Sequence, residues 1–473
     1  MIGSGPAGCA SAAALIRAGI RPTVVDGGVR SIPVPGYVEV GTRTNPGRKA
    51  WFGSTEAYAQ PDPALITYDP RILARASYAN GGLSRVWGAT ADLPSTWSDW
   101  PEGSRPQPSD VDELWELIPR ATTSWGSDLE AGSGLIPGSD LSRRVMSDVI
   151  DACADGSWVV RPSTIAIQTG PLSTNMCRPC AQCLLGCPRD SIWFGGDVMD
   201  DWAAKGLVDY RPGRTVLSMS ESSTDVEVRV RVSGGLAETL RARRVFVGSG
   251  PISSAAIALG SGLVDETVTI QDTATAFTGF LSAKGAPVSG FHHGLSQWWI
   301  HDPEESIFAQ VYPPSENHAP RLASRLPGNT GDWFGVSHRV ARHLHPVIAF
   351  LRQEESDVLR VSRRGETIIA EPDGNASRDA FAPRLRSLAK VFRKAGYFMP
   401  VVASEFTEAG TGYHLGASWP HGDGSDTLGR LPGSARIHFV DASVLPKLRI
   451  GSITPSVMVN AIRITRTAYE FDG

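Results

Sequence analysis

Gly3-Ser4-Gly5-Pro6-Ala7-Gly8 opens the chain as a G-x-G-x-x-G loop, preceded by only Met1 and Ile2. Mostly small and apolar residues follow from 10 to 18, as expected of a helix packed on a sheet. Residues 21–26 then read as a second strand that ends in the acid Asp26. In such a unit the glycines let the backbone approach a pyrophosphate, the helix N-terminus faces its charge, and the acid accepts hydrogen bonds from ribose hydroxyls. The stretch therefore predicts a dinucleotide-binding domain.

The length and composition of the chain fit a multidomain globular protein. Its 473 residues suit two or three packed domains, and 41% apolar with 20% charged residues is an ordinary balance. The net charge of −4 gives no reason to expect nucleic acid or an anionic membrane as the partner. No stretch approaches the roughly 20 consecutive apolar residues that span a bilayer, and no signal peptide is recognisable. We therefore expect a cytoplasmic protein without a membrane span.

Several other segments have a recognisable secondary structure. Because a strand of about five residues is typical before such a loop, Met1 and Ile2 predict either a shortened strand or further residues upstream. A second glycine-rich loop occupies residues 79–90, and a strand runs into a glycine turn at 244–250. A helix is expected over 382–395 with Pro383 in its first turn, and another closes the chain over 455–471.

Four separated blocks of the chain form one pattern. The blocks are the N-terminal glycine loop with Asp26, the loop Gly81–Gly88, the strand and turn Val247–Gly250, and the C-terminal run that contains His414, Gly429, Val440–Pro446 and Thr454–Ser456. In their order and spacing they resemble one known family, the glucose–methanol–choline (GMC) oxidoreductases. The resemblance implies an α/β fold, α+β overall, in which a Rossmann-type FAD-binding domain carries a substrate domain built on a mixed or antiparallel sheet. The expected boundaries are 1–100, 200–262 and 425–473 for the FAD domain, 101–199 for a connecting region and 263–424 for the substrate domain.

The resemblance also implies which residues bind FAD. These are Gly3, Ser4, Gly5, Pro6, Ala7, Gly8, Asp26, Gly81, Gly82, Ser84, Trp87, Gly88, Gly250, Asp441, Ala442, Pro455 and Ser456. The last helix should point its N-terminus at the flavin, where its dipole would stabilise negative charge. Some relatives attach FAD through a histidine in the second glycine loop, but the matching position here is Val86, so we expect non-covalent FAD.

Two residues are candidates for the chemistry. The family removes a hydride from an alcohol carbon, and His414 opens a run similar to its His-x-x-Gly-Thr, with Ala417 and Ser418 as departures. An imidazole can accept a proton at neutral pH. Thr454 stands where the family has His or Asn; its hydroxyl can bind an alcohol or simply cap the last helix, but it is not a base near neutral pH. His421 is an alternative partner, although an exposed loop position is the simpler interpretation.

Four of the six cysteines form a separate motif. Cys177, Cys180, Cys183 and Cys187 have the C-x₂-C-x₂-C-x₃-C-P spacing of bacterial ferredoxins. The spacing favours an iron–sulfur cluster, 3Fe-4S on three cysteines or 4Fe-4S with Cys187 or a remote ligand such as Cys153. Zinc and a metal-free loop remain the alternatives. Cys9 should be a buried small residue.

Together these features predict an FAD-dependent dehydrogenase that oxidises a sugar, polyol or other polar alcohol. Electrons would leave through the cluster to an external acceptor. Two other functions stay open: a redox-relay or structural flavoprotein without an alcohol substrate, and a metal-free oxidase that forms peroxide. The substrate domain contains no recognisable pocket motif, although Gln297–Trp299 and the segment that begins at Gln310 are candidates for strands facing the flavin.

Overall fold

A computed structural model gives the fold of the chain. It describes residues 1–28, 66–72, 76–125, 134–171, 173–185, 187, 189–232, 235–286, 290–319, 336–374, 377–410 and 412–470. The α-helices in this part of the chain are α1 Pro6–Arg17, α2 Pro108–Leu117, α3 Asp140–Ala152, α4 Gly195–Ala204, α5 Pro251–Gly260, α6 Val336–Ala341, α7 Ser377–Lys394 and α8 Thr454–Glu470.

The strands alternate with these helices along the chain. They are β1 Thr23–Val25, β2 Ile66–Tyr68, β3 Ala121–Ser124, β4 Leu135–Pro137, β5 Val159–Pro162, β6 Thr164–Ile165, β7 Asp209–Arg211, β8 Arg214–Glu221, β9 Val226–Val232, β10 Ala237–Ala242, β11 Val245–Val247, β12 Thr267–Asp272, β13 Thr275–Leu281, β14 Trp298–His301, β15 Ile307–Val311, β16 Leu344–Leu351, β17 Val358–Arg364, β18 Thr367–Asp373, β19 Glu405–Phe406, β20 Leu415–Gly416 and β21 Ile437–Phe439.

A parallel sheet carries the N-terminal glycine loop. β7 pairs with β1, and β11 pairs with β21, all in parallel. Ile2 lies between the two pairs and forms β-bridges with Val25 on one side and Val247 on the other. This single residue thus stands in for the central strand of the sheet. α1 packs against α8, where the hydroxyls of Ser11 and Thr465 are 2.6 Å apart. The strands of this sheet therefore all end on the same edge, where loops can converge on a ligand.

A six-stranded antiparallel sheet faces that edge. Its order is β19-β13-β16-β15-β14-β5. Side chains alternate across β16: Val347 and Ala349 pack with α3 and α7 in one core, whereas Ile348 and Phe350 join Phe308 in a separate cluster on the other face. The second face borders the cavity described below.

A third sheet positions the segment that carries His414. Its order is β2-β18-β17-β12-β20, with β2 parallel to β18 and the other pairs antiparallel. β20 is short and pairs with the end of β12, through Gln271 with Gly416 and Asp272 with Leu415. A three-stranded meander, β8-β9-β10, completes the region near the glycine loop.

The α/β fold with several mixed sheets, predicted from the sequence, is confirmed. One boundary differs from its prediction. α7 begins at Ser377 rather than near Ala382, so Pro383 lies inside the helix. The reason is a tertiary cap: the Asp357 carboxylate accepts a hydrogen bond from the Ser377 amide at 3.1 Å, and the Ser377 hydroxyl also donates to it. Among the described residues, no helix combines the length and apolar character needed to cross a membrane.

Candidate active site

One large cavity opens where the parallel sheet meets the antiparallel one. Its volume is about 610 Å³, within the range of small-molecule sites. Loops that follow Ile2, β1, β11 and β21 form one wall, and the strand residues Gln310, Ile348 and Phe350 form part of another. This is the crevice outside the carboxyl ends of parallel strands, where nucleotides bind in such folds.

The first glycine loop turns tightly beneath this cavity. Gly3 has φ of 94°, a left-handed conformation that favours glycine. A Cβ on Gly8 would lie 2.0 Å from the Gly3 carbonyl oxygen, so only glycine lets α1 approach the loop this closely. A Cβ on Gly5, in contrast, would meet no atom closer than 3.9 Å. Gly3, Ser4, Gly5, Pro6 and Ala7 line the cavity, whereas Gly8 packs behind them.

Asp26 holds the glycine loop from the end of β1. Its two carboxylate oxygens accept hydrogen bonds from the Ser4 amide at 2.6 Å and the Gly28 amide at 2.5 Å. Burial raises the pKa of this carboxyl group, and the hydrogen bonds oppose that rise. Asp26 lines the cavity at the place where a nucleotide ribose is expected.

The second glycine loop lies directly on the first. The Ser4 hydroxyl accepts a hydrogen bond from the Gly81 amide at 2.9 Å, and a Cβ on Gly81 would lie 2.4 Å from the Gly196 nitrogen. Ser84 donates its hydroxyl to the Gly81 carbonyl at 2.6 Å and accepts from the Gly195 amide at 3.1 Å. Gly82, Ser84, Val86, Trp87 and Gly88 line the cavity; Gly81 does not. The aliphatic Val86 offers no atom for a covalent link to a cofactor.

Asp441 ties two more loops together at the same edge. Its carboxylate accepts from the Gly250 amide at 2.9 Å, the Ser254 hydroxyl at 2.5 Å and the Ser443 amide at 2.9 Å. Gly250, Asp441 and Ala442 all line the cavity, and Gly250 caps the N-terminus of α5. The carboxylate of Asp441 is thus hydrogen-bonded within the protein, and it fixes the backbone at Gly250 and Ser443.

His414 lies in the cavity wall opposite the glycine loops. Its ring stacks on Phe350 with centroids 4.8 Å apart and an interplanar angle of 19°. Burial lowers the pKa of His414 to about 4, so the ring is neutral at pH 7. Nδ1 has no hydrogen-bond partner among the described residues. Ala417, one of the two departures from the family run, has φ of 46°, which explains why glycine suits that position.

The other C-terminal candidates divide between the cavity and the interior. Thr454, the first residue of α8, lines the cavity, whereas Pro455 and Ser456 are buried outside its wall. The interpretation of His421 as an exposed loop residue is wrong. It is 3% exposed, and its Nδ1 lies 2.7 Å from the Asp426 carbonyl oxygen while Nε2 lies within reach of Asn460. His421 does not border the cavity, so it is no partner for His414.

The structure adds cavity residues to which sequence motifs did not point. Gln310 is buried, and its Oε1 accepts a hydrogen bond from the Tyr312 hydroxyl at 3.1 Å, while its amide N–H groups make no hydrogen bond among the described residues. Ile348 and Phe350 lie on the adjacent strand β16. Gln310 was a sequence candidate only as part of a segment facing the flavin; nothing in the local sequence distinguishes it from a core residue.

The predicted iron–sulfur site is not supported. Among the described residues, no group of three or more His, Cys, Asp or Glu side chains has an arrangement that could hold a metal ion. Cys183 Sγ instead accepts a hydrogen bond from the Gly294 amide and Cys187 Sγ one from the Ser191 amide, each at 3.3 Å. None of the six cysteines forms a disulfide. The described part of the chain therefore gives no support for a cluster or a zinc ion at the four cysteines.

The cysteines are used in a different way. Cys177 and Cys183 pack against the main apolar core. Burial, reinforced by the neighbouring Cys187 and Cys180, raises the pKa of Cys177 to about 12, and burial raises the pKa of Cys183 as well. Cys9 is fully buried beside the carbonyls of Ser4 and Gly195, as expected. Such thiols remain protonated at neutral pH.

Comparisons with known proteins support the fold. No protein-family model matches the chain, and no curated protein matches it. Among solved structures, the chain is similar to the crystal structure of pyridoxine 4-oxidase from Mesorbium loti, with a TM-score of 0.60 and 15% sequence identity over 99% of this chain and 98% of that one. The two proteins share their architecture from end to end.

Proposed function

We propose that this protein is an FAD-dependent oxidoreductase that oxidises the CH–OH group of an alcohol. The observation that carries the proposal is the position of His414: a neutral, stacked imidazole lines the same cavity as the nucleotide-binding glycine loop. The residues expected to bind the cofactor and a candidate proton acceptor thus border the same cavity.

The residues of the glycine loops and of the neighbouring cavity wall fit FAD. Open space at Gly5 leaves room for a pyrophosphate, and the amide-rich start of α1 faces it. Asp26 lies where it can bind a ribose, while Gly250 and Ala442 border the cavity on its other side. When bound, FAD would supply the hydride acceptor. Val86 supports a non-covalent attachment.

His414 would take the proton of the substrate hydroxyl on a ring nitrogen. Because its pKa is about 4, the ring is already neutral at physiological pH and needs no prior deprotonation. Its stacking on Phe350 fixes the plane of the ring. Thr454, at the start of α8, would contact the substrate oxygen through its hydroxyl but would not act as a base.

The cavity wall favours an alcohol with a flat and largely apolar body. Ile348, Phe350 and Ile453 present apolar surface, and the Gln310 amide supplies a donor for one polar group. The hydroxyl-bearing residues Thr90, Tyr413 and Ser452 also line the cavity, so sugars and polyols, the substrates expected from sequence, stay among the alcohols to be tested. Pyridoxine, which the similar structure is named for, is a flat alcohol and belongs in the test panel.

The electron acceptor decides between dehydrogenase and oxidase. Because no group of side chains that could hold a metal is found among the described residues, no electron route through the four cysteines is proposed. The similar structure is called an oxidase, which makes dioxygen a candidate acceptor beside an external carrier.

Absorption spectroscopy tests the proposal. Purified protein supplied with FAD should show a flavin spectrum that persists through gel filtration. Anaerobic mixing with a panel of aromatic, aliphatic and sugar alcohols should bleach the flavin band with at least one of them, and peroxide on readmitting oxygen would identify an oxidase. A flavin that no alcohol bleaches, although dithionite does, would refute the assigned reaction.

A further inference from the structure

Asp272 is a buried carboxyl group next to the segment that carries His414. It ends strand β12 and pairs with Leu415, the residue after His414. Only 1% of Asp272 is exposed, and it does not border the cavity. Asp272 can therefore affect the cavity only through the residues that it contacts.

Hydrogen bonds from both sides of Tyr413 connect the end of β12 to the His414 segment. The Asp272 Oδ2 atom accepts from the Gly412 amide at 3.0 Å, and the amide of the next residue, Thr273, donates to the His414 carbonyl at 3.1 Å. The contact with Gly412 is close: a Cβ there would lie 2.0 Å from Oδ1 of Asp272. The backbone on both sides of Tyr413 is therefore anchored to Asp272 and its neighbour.

The second oxygen of this carboxyl group is not held by any of the described residues. Oδ1 is buried and makes no hydrogen bond among the described residues. Burial raises the pKa of Asp272 to about 7, with a contribution from Asp357, the residue before β17; the amides of Gly412 and Thr273 oppose the rise. A carboxyl group in this environment changes its charge near neutral pH.

We propose that Asp272 is a positioning residue for the reaction proposed above, on which this inference rests: its ionised carboxylate holds Gly412 and so sets the His414 ring in the cavity, and its protonation loosens that hold. The hydrogen bond from Gly412 is charge-assisted when the carboxylate is ionised and weaker when it is neutral. A displacement of about 1 Å at a catalytic group can change a rate by up to about a hundredfold.

The titratable side chain of His414 itself does not explain a change at neutral pH. His414 itself has a pKa of about 4. Among the described residues, the charge of Asp357 contributes to the raised pKa of Asp272. Replacing Asp357 by Asn should therefore move the transition to lower pH without abolishing it.

The test uses the FAD-bound wild type and the variants Asp272→Asn and Asp357→Asn. The first readout needs no substrate: histidines labelled with ¹³C at Cε1 are followed by NMR, with the His414 signal assigned from its loss in His414→Gln. In the wild type this signal should shift with a midpoint near pH 7; in Asp272→Asn it should stay constant over that range. Asp357→Asn should lower the midpoint.

The second readout is the rate of flavin reduction by a substrate alcohol. The wild-type rate should fall about tenfold as the pH drops through the Asp272 transition, and Asp272→Asn should show the lower rate at every pH. A midpoint that survives in Asp272→Asn, or a wild-type His414 signal that is constant around neutral pH, would overturn the proposal. If no alcohol reduces the flavin, the proposed function fails, but the NMR titration still tests Asp272.

Discussion

Gly5 offers a substitution that separates cofactor binding from stability. It is the N-cap of α1 and lines the cavity, and an added Cβ would meet no protein atom closer than 3.9 Å. Gly5→Ala should therefore fold, while its methyl group occupies the space assigned to the pyrophosphate. Gly19→Ala is the matched control, because Gly19 has φ of 76° in an open, exposed turn remote from the cavity.

The two substitutions should cost similar stability but differ in FAD affinity. Alanine at an N-cap costs about 1 kcal/mol, and alanine in the left-handed region about 1–2 kcal/mol. Displacing the pyrophosphate from even one backbone amide should cost about 1.5–3 kcal/mol, or about 10- to 100-fold in Kd. Only Gly5→Ala should show that second loss.

The assay combines FAD titration of the deflavinated protein, by quenching of flavin fluorescence, with thermal unfolding. Both variants should unfold a few degrees below the wild type, as about 1 kcal/mol implies for a chain of this size. Wild-type FAD affinity in Gly5→Ala would refute the placement of the pyrophosphate, and so would an equal loss in Gly19→Ala.

Three further predictions concern the stability of the fold and the binding of FAD. Burial lowers the pKa of His345 to about 3 in the folded state, so the neutral ring that folding requires costs no stability above the unfolded pKa near 6.5 and costs more as the pH falls below it. In urea denaturation, His345→Phe should therefore have an unfolding free energy about 2 kcal/mol above that of the wild type at about pH 5, but not at about pH 8. Asp26→Asn should raise the Kd for FAD at least about tenfold in the same titration, because the NH₂ group of the asparagine would face either the Ser4 or the Gly28 amide, which is itself a donor. An unchanged Kd would contradict the role of Asp26 in shaping the FAD site. Ala417→Gly should raise the unfolding free energy by about 0.5–1 kcal/mol by relieving the left-handed backbone, and a loss of stability would show that no strain is present.

The glycine loop was predictable because its chemistry is local. Gly3, Gly8 and Asp26 interact within 28 residues, so their spacing alone defines the turn, the close helix approach and the acid at the strand end. The four cysteines are also close in sequence, but spacing limits only the distances along the chain. It does not determine the direction of the side chains, and Cys177 and Cys183 turn towards the apolar core.

The features that sequence could not reveal depend on distant partners. Asp272 accepts from Gly412, 140 residues away, and α7 starts early because Asp357, 20 residues before it, caps Ser377. His421 is buried and lies within hydrogen-bonding distance of Asn460, 39 residues further along the chain. In each case a polar side chain in a loop or at a strand end has an ordinary local context, and only tertiary contacts give it a role.

The most direct test of the central claim is single-turnover reduction of bound FAD by a substrate alcohol without oxygen. We expect His414→Asn to bind FAD with wild-type affinity and an unchanged flavin spectrum, yet to be reduced at least about a hundredfold more slowly, as the loss of a general base implies. Reduction of His414→Asn at the wild-type rate would contradict the account.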